Sequence, residues 1–172
     1  MDERRFNGLA AILYALLFLF TFNQVLGTGQ MLYAYDQVLG SLQWREFFCE
    51  AVKRFGSVPY WDPYMFGGMP FFGVLHADNL YPTALLRFLL PAHVVMNWSF
   101  VLHGILAATL TYFFAKNRLR LPKEIAFLVG LSYAFTGSMI SLVFAGHDGK
   151  FYVLSLLPGL AYLLDPRGTR AP

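Results

Sequence analysis

The chain has 172 residues and a formal net charge of only +3, and 57% of its residues are hydrophobic, 18% aromatic and 13% charged. A soluble chain carries about a quarter charged residues, so the composition excludes an ordinary soluble domain and points to the bilayer as solvent. The mild basic balance carries no nucleic-acid signal.

In chain order, the first charge-free window follows the start MDERR and runs from Asn7 to Tyr35, with an apolar heart at Leu9 to Leu26. It is longer than a signal-peptide apolar region and lacks a clean small-residue cleavage site, so a first span is expected at about residues 9–28. The segment 29–93 then forms one large loop. Within it, residues 38–55 carry a helical pattern: Trp44, Phe48, Ala51, Val52 and Phe55 share one face and Gln43, Glu46, Glu50, Lys53 and Arg54 the other, while Arg45 falls on the apolar side. Such a helix suits the membrane interface, and Gly56 with Pro59 ends it. The piece Leu80 to Pro91 is too short to span and reads as interfacial or re-entrant.

Between these lies YWDPYMFGGMPFF, residues 60–72. Asp62 before Pro63 suits a turn or helix start with its carboxylate on backbone amides. Gly67 and Gly68 permit positive φ, and Tyr60, Trp61 and Tyr64 suit a wet apolar boundary. An interfacial aromatic belt with a tight turn accounts for all of this.

Further spans are expected at about 94–115, with Gly104, Ala107 and Ala108 allowing close helix approach, at 125–145, and at 151–164, the last interrupted by Pro158. His103 inside the second is costly to leave unpaired in lipid and should face the bundle. With four spans, Arg4 and Arg5, the loop with Lys116, Arg118, Arg120 and Lys123, and the tail with Arg167 and Arg170 fall on one side, so both termini are expected in the cytoplasm and the large loop outside. The fold class expected is an all-α polytopic transmembrane bundle, a single membrane domain over residues 1–172, with interfacial helices in a large extracytoplasmic loop.

Several separated stretches together resemble one family: YDQVLGSLQWREFF, GSVPYWDPYMFGGMPFF, NLYPTALLRFLLP, VLHGILAATLTYFF and LSYAFTGSMISL. The pattern Pro59, Trp61, Pro63, Phe66, Gly67, Gly68, Met69, Pro70, with Tyr81 and Pro82 downstream, is similar to the amino-terminal part of YfhO-like polytopic bacterial membrane proteins, grouped with the C-type membrane glycosyltransferases. Asp62 stands where that family usually has Asn. Family members are far longer, so the resemblance implies correspondence to their amino-terminal part. It further implies the bacterial inner membrane, and sugar transfer on its outer face from a polyprenyl-phosphate donor to a cell-envelope acceptor.

By the same resemblance Asp36 is the catalytic carboxylate, as general base or as holder of a divalent cation against the donor phosphate, although its place before QVLGSLQW also suits a helix N-cap. Trp61, Asp62, Gly67 and Gly68 become candidate substrate contacts. His147, Asp148 and Lys150 offer an imidazole, a carboxylate and a cation for a phosphate at a span end. His76 and Asp78 would join them if the loop folds over Asp36. No full metal-ligand pattern is present, and the lone Cys49 reads as a small buried hydrophobe. The alternative function is a non-catalytic membrane component, a transport or scaffold subunit whose aromatic loop binds lipid or a protein partner.

Overall fold

The computed structural model describes residues 2–27, 29–73 and 78–166. Helices dominate: α1 (Glu3–Thr21), the short α2 (Asn23–Leu26), α3 (Leu42–Phe55), α4 (Ala92–Asn117), α5 (Lys123–Ala134), α6 (Gly137–Ala145) and α7 (Asp148–Leu164). A π-helical turn, Gln37–Ser41, leads into α3, and a 3-10 helix, Pro82–Phe88, precedes α4.

Three stretches are long and apolar enough to cross a membrane: Glu3–Thr21, Ala92–Asn117 and the α5–α6 pair, Lys123–Ala145. The first begins and ends several residues before the expected span. The third is broken at Phe135 and Thr136, where the Thr136 hydroxyl accepts from the Met139 amide and restarts the helix as α6. The remaining apolar helix, α7, has 17 residues and carries Pro158 inside it.

The core centres on α4, which packs against α1, α5 and α7. In α1 the four-residue spacing of Ala10, Tyr14 and Phe18 makes one buried stripe. The opposite face shows Ile12, Leu16 and Phe20 to the outside, an apolar surface of the kind that meets hydrocarbon. Small residues set the spacing. A Cβ on Gly104 would lie 2.1 Å from the Phe18 ring, and one on Gly130 would lie 2.5 Å from the Ala108 carbonyl and the Tyr14 hydroxyl. That hydroxyl donates to the Phe127 carbonyl at 2.8 Å, so α1, α4 and α5 interlock at one level.

Polar contacts distinguish the two ends of the bundle. At one end Lys116 pairs with Glu3 at 3.0 Å, Tyr112 donates to Asn7 at 2.6 Å, Lys123 lies over the Phe6 ring, and Arg118 donates to the Tyr162 carbonyl. The other end carries the segment between α1 and α4. This segment has its own small core of Trp44, Phe48, Cys49 and Phe71, with Val58, Met65, Met69 and Phe88 packed around it.

Two expectations for this segment change. The buried side of α3 comprises Trp44, Arg45, Phe48, Cys49 and Ala51, whereas Phe55 is exposed, so the buried face is rotated to take in the arginine. Of the turn and the helix start offered for Asp62, the turn is found, inside a two-stranded hairpin: β1 (Trp61–Asp62) pairs antiparallel with β2 (Met69–Pro70). Asp62 is buried, and its Oδ1 accepts from the Tyr64 amide at 2.8 Å, which shapes the turn between the strands. The all-helical expectation therefore holds for the bundle but not for this hairpin.

Candidate functional site

At that end of the bundle the α6–α7 turn meets the segment that follows α1. Gly146 closes α6 with φ 85°, and a Cβ there would strike the Ala34 Cβ at 2.8 Å and the Gln37 backbone N at 3.1 Å. Only glycine permits both the left-handed turn and the approach. The approach places His147 beside Asp36: its Nε2 lies 2.7 Å from Asp36 Oδ2. Asp36 itself has helical dihedrals, φ −68° and ψ −26°, and its side chain makes no capping hydrogen bond. The N-cap expectation for this residue gives way to a carboxylate–imidazole pair.

The pair lines an open cavity of about 520 Å³. Its walls include Ser41 and Trp44, the hairpin residues Met65 and Phe66, and Asp148, Gly149 and Lys150 at the start of α7. Asp36 is half exposed and His147 about a third, so both side chains are open to a solute. Asp36, His147, Asp148 and Lys150, named from the sequence, are thus brought together. Trp61, Asp62, Gly67 and Gly68 do not line this cavity; they build the hairpin whose tip does. His76 lies outside the described residues.

Behind the cavity is a buried ionic cluster. Arg45 is 1% exposed; its Nε donates to Asp78 Oδ1 at 2.7 Å and its Nη2 to Asp148 Oδ2. Arg87, also buried, donates through Nη2 to Asp78 and through Nη1 to Asn79 at 3.3 Å. Two guanidiniums and two carboxylates make the cluster formally neutral, which makes its burial tolerable. Burial opposes ionisation of Asp78, but Arg45 and Arg87 outweigh it and hold the carboxyl below the usual carboxylate range. Burial likewise opposes the charge on Arg45, and Asp148 and Asp78 together overcome it. Asp78 therefore serves as the anchor of two arginines rather than as the open phosphate or metal contact expected of it. Asp148 is shared, one oxygen on Arg45 and the other accepting from the Gly149 amide at 2.7 Å.

Sequence reasoning missed Arg45 and Arg87 as members of this end. The signal for Arg45 was present: a lone arginine on the apolar side of an amphipathic helix is costly unless an acid awaits it. A second polar tie lies deeper. His103 places Nδ1 2.7 Å from the Ser99 carbonyl, so that nitrogen carries the proton and Nε2 accepts from the Tyr81 hydroxyl at 2.8 Å. The Tyr152 ring stacks on the imidazole at 4.0 Å. His103 does face the bundle interior, and its hydrogen-bond partners are the Ser99 carbonyl of its own helix and the Tyr81 hydroxyl of the loop segment.

No family model, no curated protein and no solved structure matches the chain. Among the described residues no three of His, Cys, Asp and Glu converge closely enough to hold a metal ion.

Proposed function

We propose that this is a multi-pass protein of the bacterial inner membrane, with both termini in the cytoplasm, that transfers a sugar from a polyprenyl-phosphate donor to a cell-envelope acceptor on the outer face. The observation that carries this reading is the Asp36–His147 pair, at 2.7 Å, in an open cavity that also holds Lys150. The family resemblance of the 59–70 motif supplies the substrate class. The orientation is supported by Lys116, Arg118 and Lys123 gathering with the start of α1 at the opposite end of the bundle.

In this mechanism His147 donates from Nε2 to Asp36 Oδ2 and orients the carboxylate, leaving Oδ1 to take the proton of an acceptor hydroxyl. The hydroxyl oxygen bonds to the anomeric carbon of the donor sugar. The bond from that carbon to the phosphate oxygen breaks, and polyprenyl phosphate leaves with the electron pair. Lys150, at the cavity wall, offsets the phosphate charge.

The test is transfer of radiolabelled sugar from a polyprenyl-phosphate donor by the protein in lipid nanodiscs. Asp36→Asn should abolish it and leave folding intact; transfer retained by this variant overturns the reading. The non-catalytic alternative, a lipid- or partner-binding subunit, is favoured by one observation. Asp148 is engaged by Arg45, which leaves Asp36 as an open carboxylate of the cavity, while Trp61 and Tyr64 stand exposed on the hairpin. It expects Trp61→Ala to be more damaging than Asp36→Asn.

A further inference from the structure

The tip of the hairpin is built at a cost that folding does not explain. Phe66 adopts φ 51°, a left-handed conformation that is an outlier for a bulky residue, and Gly67 and Gly68 follow at φ 78° and 115°. Gly68 is locked in place: its amide donates to the Met65 carbonyl at 2.8 Å, and a Cβ there would lie 2.9 Å from the Trp61 ring. The strained turn holds out a phenyl ring that is 88% exposed, so burial does not compensate the strain. That ring lines the cavity of Asp36 and His147.

Two glycines on the cavity wall add to this. A Cβ on Gly40 or Gly149 would meet nothing within 4 Å, and neither residue has positive φ. Neither packing nor dihedral angle demands glycine there, and each weakens the helical turn it sits in. Their effect is to leave open space in front of the acid–imidazole pair.

We propose that Phe66 is a stacking platform for a pyranose ring, which lies with one C–H face on the phenyl and its hydroxyls toward Asp36, His147 and Lys150 in the space above Gly149. The chemistry matches the occupant. A pyranose presents weakly positive C–H groups on one face, which suit the negative face of an aromatic ring, and hydroxyls around its edge that need hydrogen-bond partners. A lipid tail would use the ring but not the charged wall, and an inorganic anion would use Lys150 but not the ring. The proposal rests on the sugar-transfer reading of this cavity and adds Phe66 as a residue that determines specificity.

The experiment is ligand-observed saturation-transfer NMR on the full chain in nanodiscs with methyl glucopyranosides, methyl mannopyranosides and N-acetylglucosamine as probes and glycerol as control. Binding of at least one pyranoside, with saturation concentrated on the protons of one ring face, is the expected result. Phe66→Leu should weaken it about tenfold and Phe66→Tyr should keep it. Gly149→Leu, whose Cβ meets nothing within 4 Å and whose side chain enters the space, should abolish it. Phe66→Gly should lose binding while its melting temperature stays level or rises, because the strain is relieved; a purely structural Phe66 would lower it. Equal binding by Phe66→Leu, or no pyranoside bound by the wild-type chain, overturns the proposal. Phe66-dependent binding without any sugar transfer would defeat the transferase reading and leave the platform standing.

Discussion

The Tyr81 hydroxyl donates to Nε2 of His103 across 2.8 Å, and this bond joins the loop segment to the middle of the longest helix. His103 is buried with its other nitrogen on the Ser99 carbonyl, and Tyr152 stacks on both His103 and Tyr81. The 3-10 turn that starts at Pro82 and carries Arg87 is thereby held against the bundle. Tyr81→Phe keeps the rings but strands a buried acceptor. It should cost about 1–3 kcal/mol, read as a lower melting temperature in nanodiscs, together with faster proteolysis of the loop. An unchanged melting temperature would mean that the stacking alone holds the turn.

Arg45 bridges Asp78 and Asp148 from a fully buried position. Arg45→Leu leaves two carboxylates near the cavity with only Arg87 to answer them, and a loss of about 3–5 kcal/mol is expected from denaturant unfolding. Arg45→Lys should recover little, because an ammonium cannot present the two-pronged geometry that reaches both acids.

Acid should undo the same cluster. The folded-state pKa of Asp78 lies below its unfolded value, so its contribution is complete above the unfolded pKa of about 3.9 and is lost as pH falls through the folded value. Melting temperatures measured from neutral pH down to strongly acidic buffer should fall at the acid end. In Asp78→Asn that part of the fall should flatten while neutral-pH stability is already reduced.

Close helix approach supplies another test. Phe18 is buried over Gly104 and packs on Phe135 at 4.7 Å between centroids, so the ring has little room to move away. Gly104→Ala should cost about 1–3 kcal/mol by overpacking in spite of the better helix propensity of alanine. A stabilised variant would show that α1 can shift outward at no cost.

Cys49 reports on the small core of the loop segment. Burial pushes its thiol pKa up, and it is shut in with Trp44, Phe48 and Phe71. Alkylation by a maleimide at neutral pH should be slow in the native protein and fast after denaturation. Rapid native labelling would place α3 in frequent local opening.

Much of the architecture was legible in the residue order because it depends on local pattern. Charge-free stretches near Leu9, Val101 and Phe127 are helices long and apolar enough for a membrane, since backbone satisfaction in hydrocarbon demands helices of that length. Gly104, Ala107 and Ala108 mark the face where helices meet for the same local reason. Asp36, His147, Asp148 and Lys150 could each be named as chemistry-bearing residues at the ends of apolar runs.

What joins them was decided only by the tertiary structure. Helical and strand periods state which face of an element is apolar, and they say nothing about which distant turn will lie against that face. The meeting of Asp36 with His147 depends on the backbone approach at Gly146, and the burial of Arg45 depends on Asp78 and Asp148 arriving from two other segments. Asp62 keeps the expected hold of its carboxylate on a backbone amide, but its pairing with Met69 is a contact across the hairpin that local propensity does not specify. The sequence by itself determined the apolar helices and the inventory of polar groups, through local hydrophobicity and side-chain size. Only the packed chain decided which of those groups neutralise one another in the interior and which remain open at the cavity, because burial turns on partners far apart along the chain.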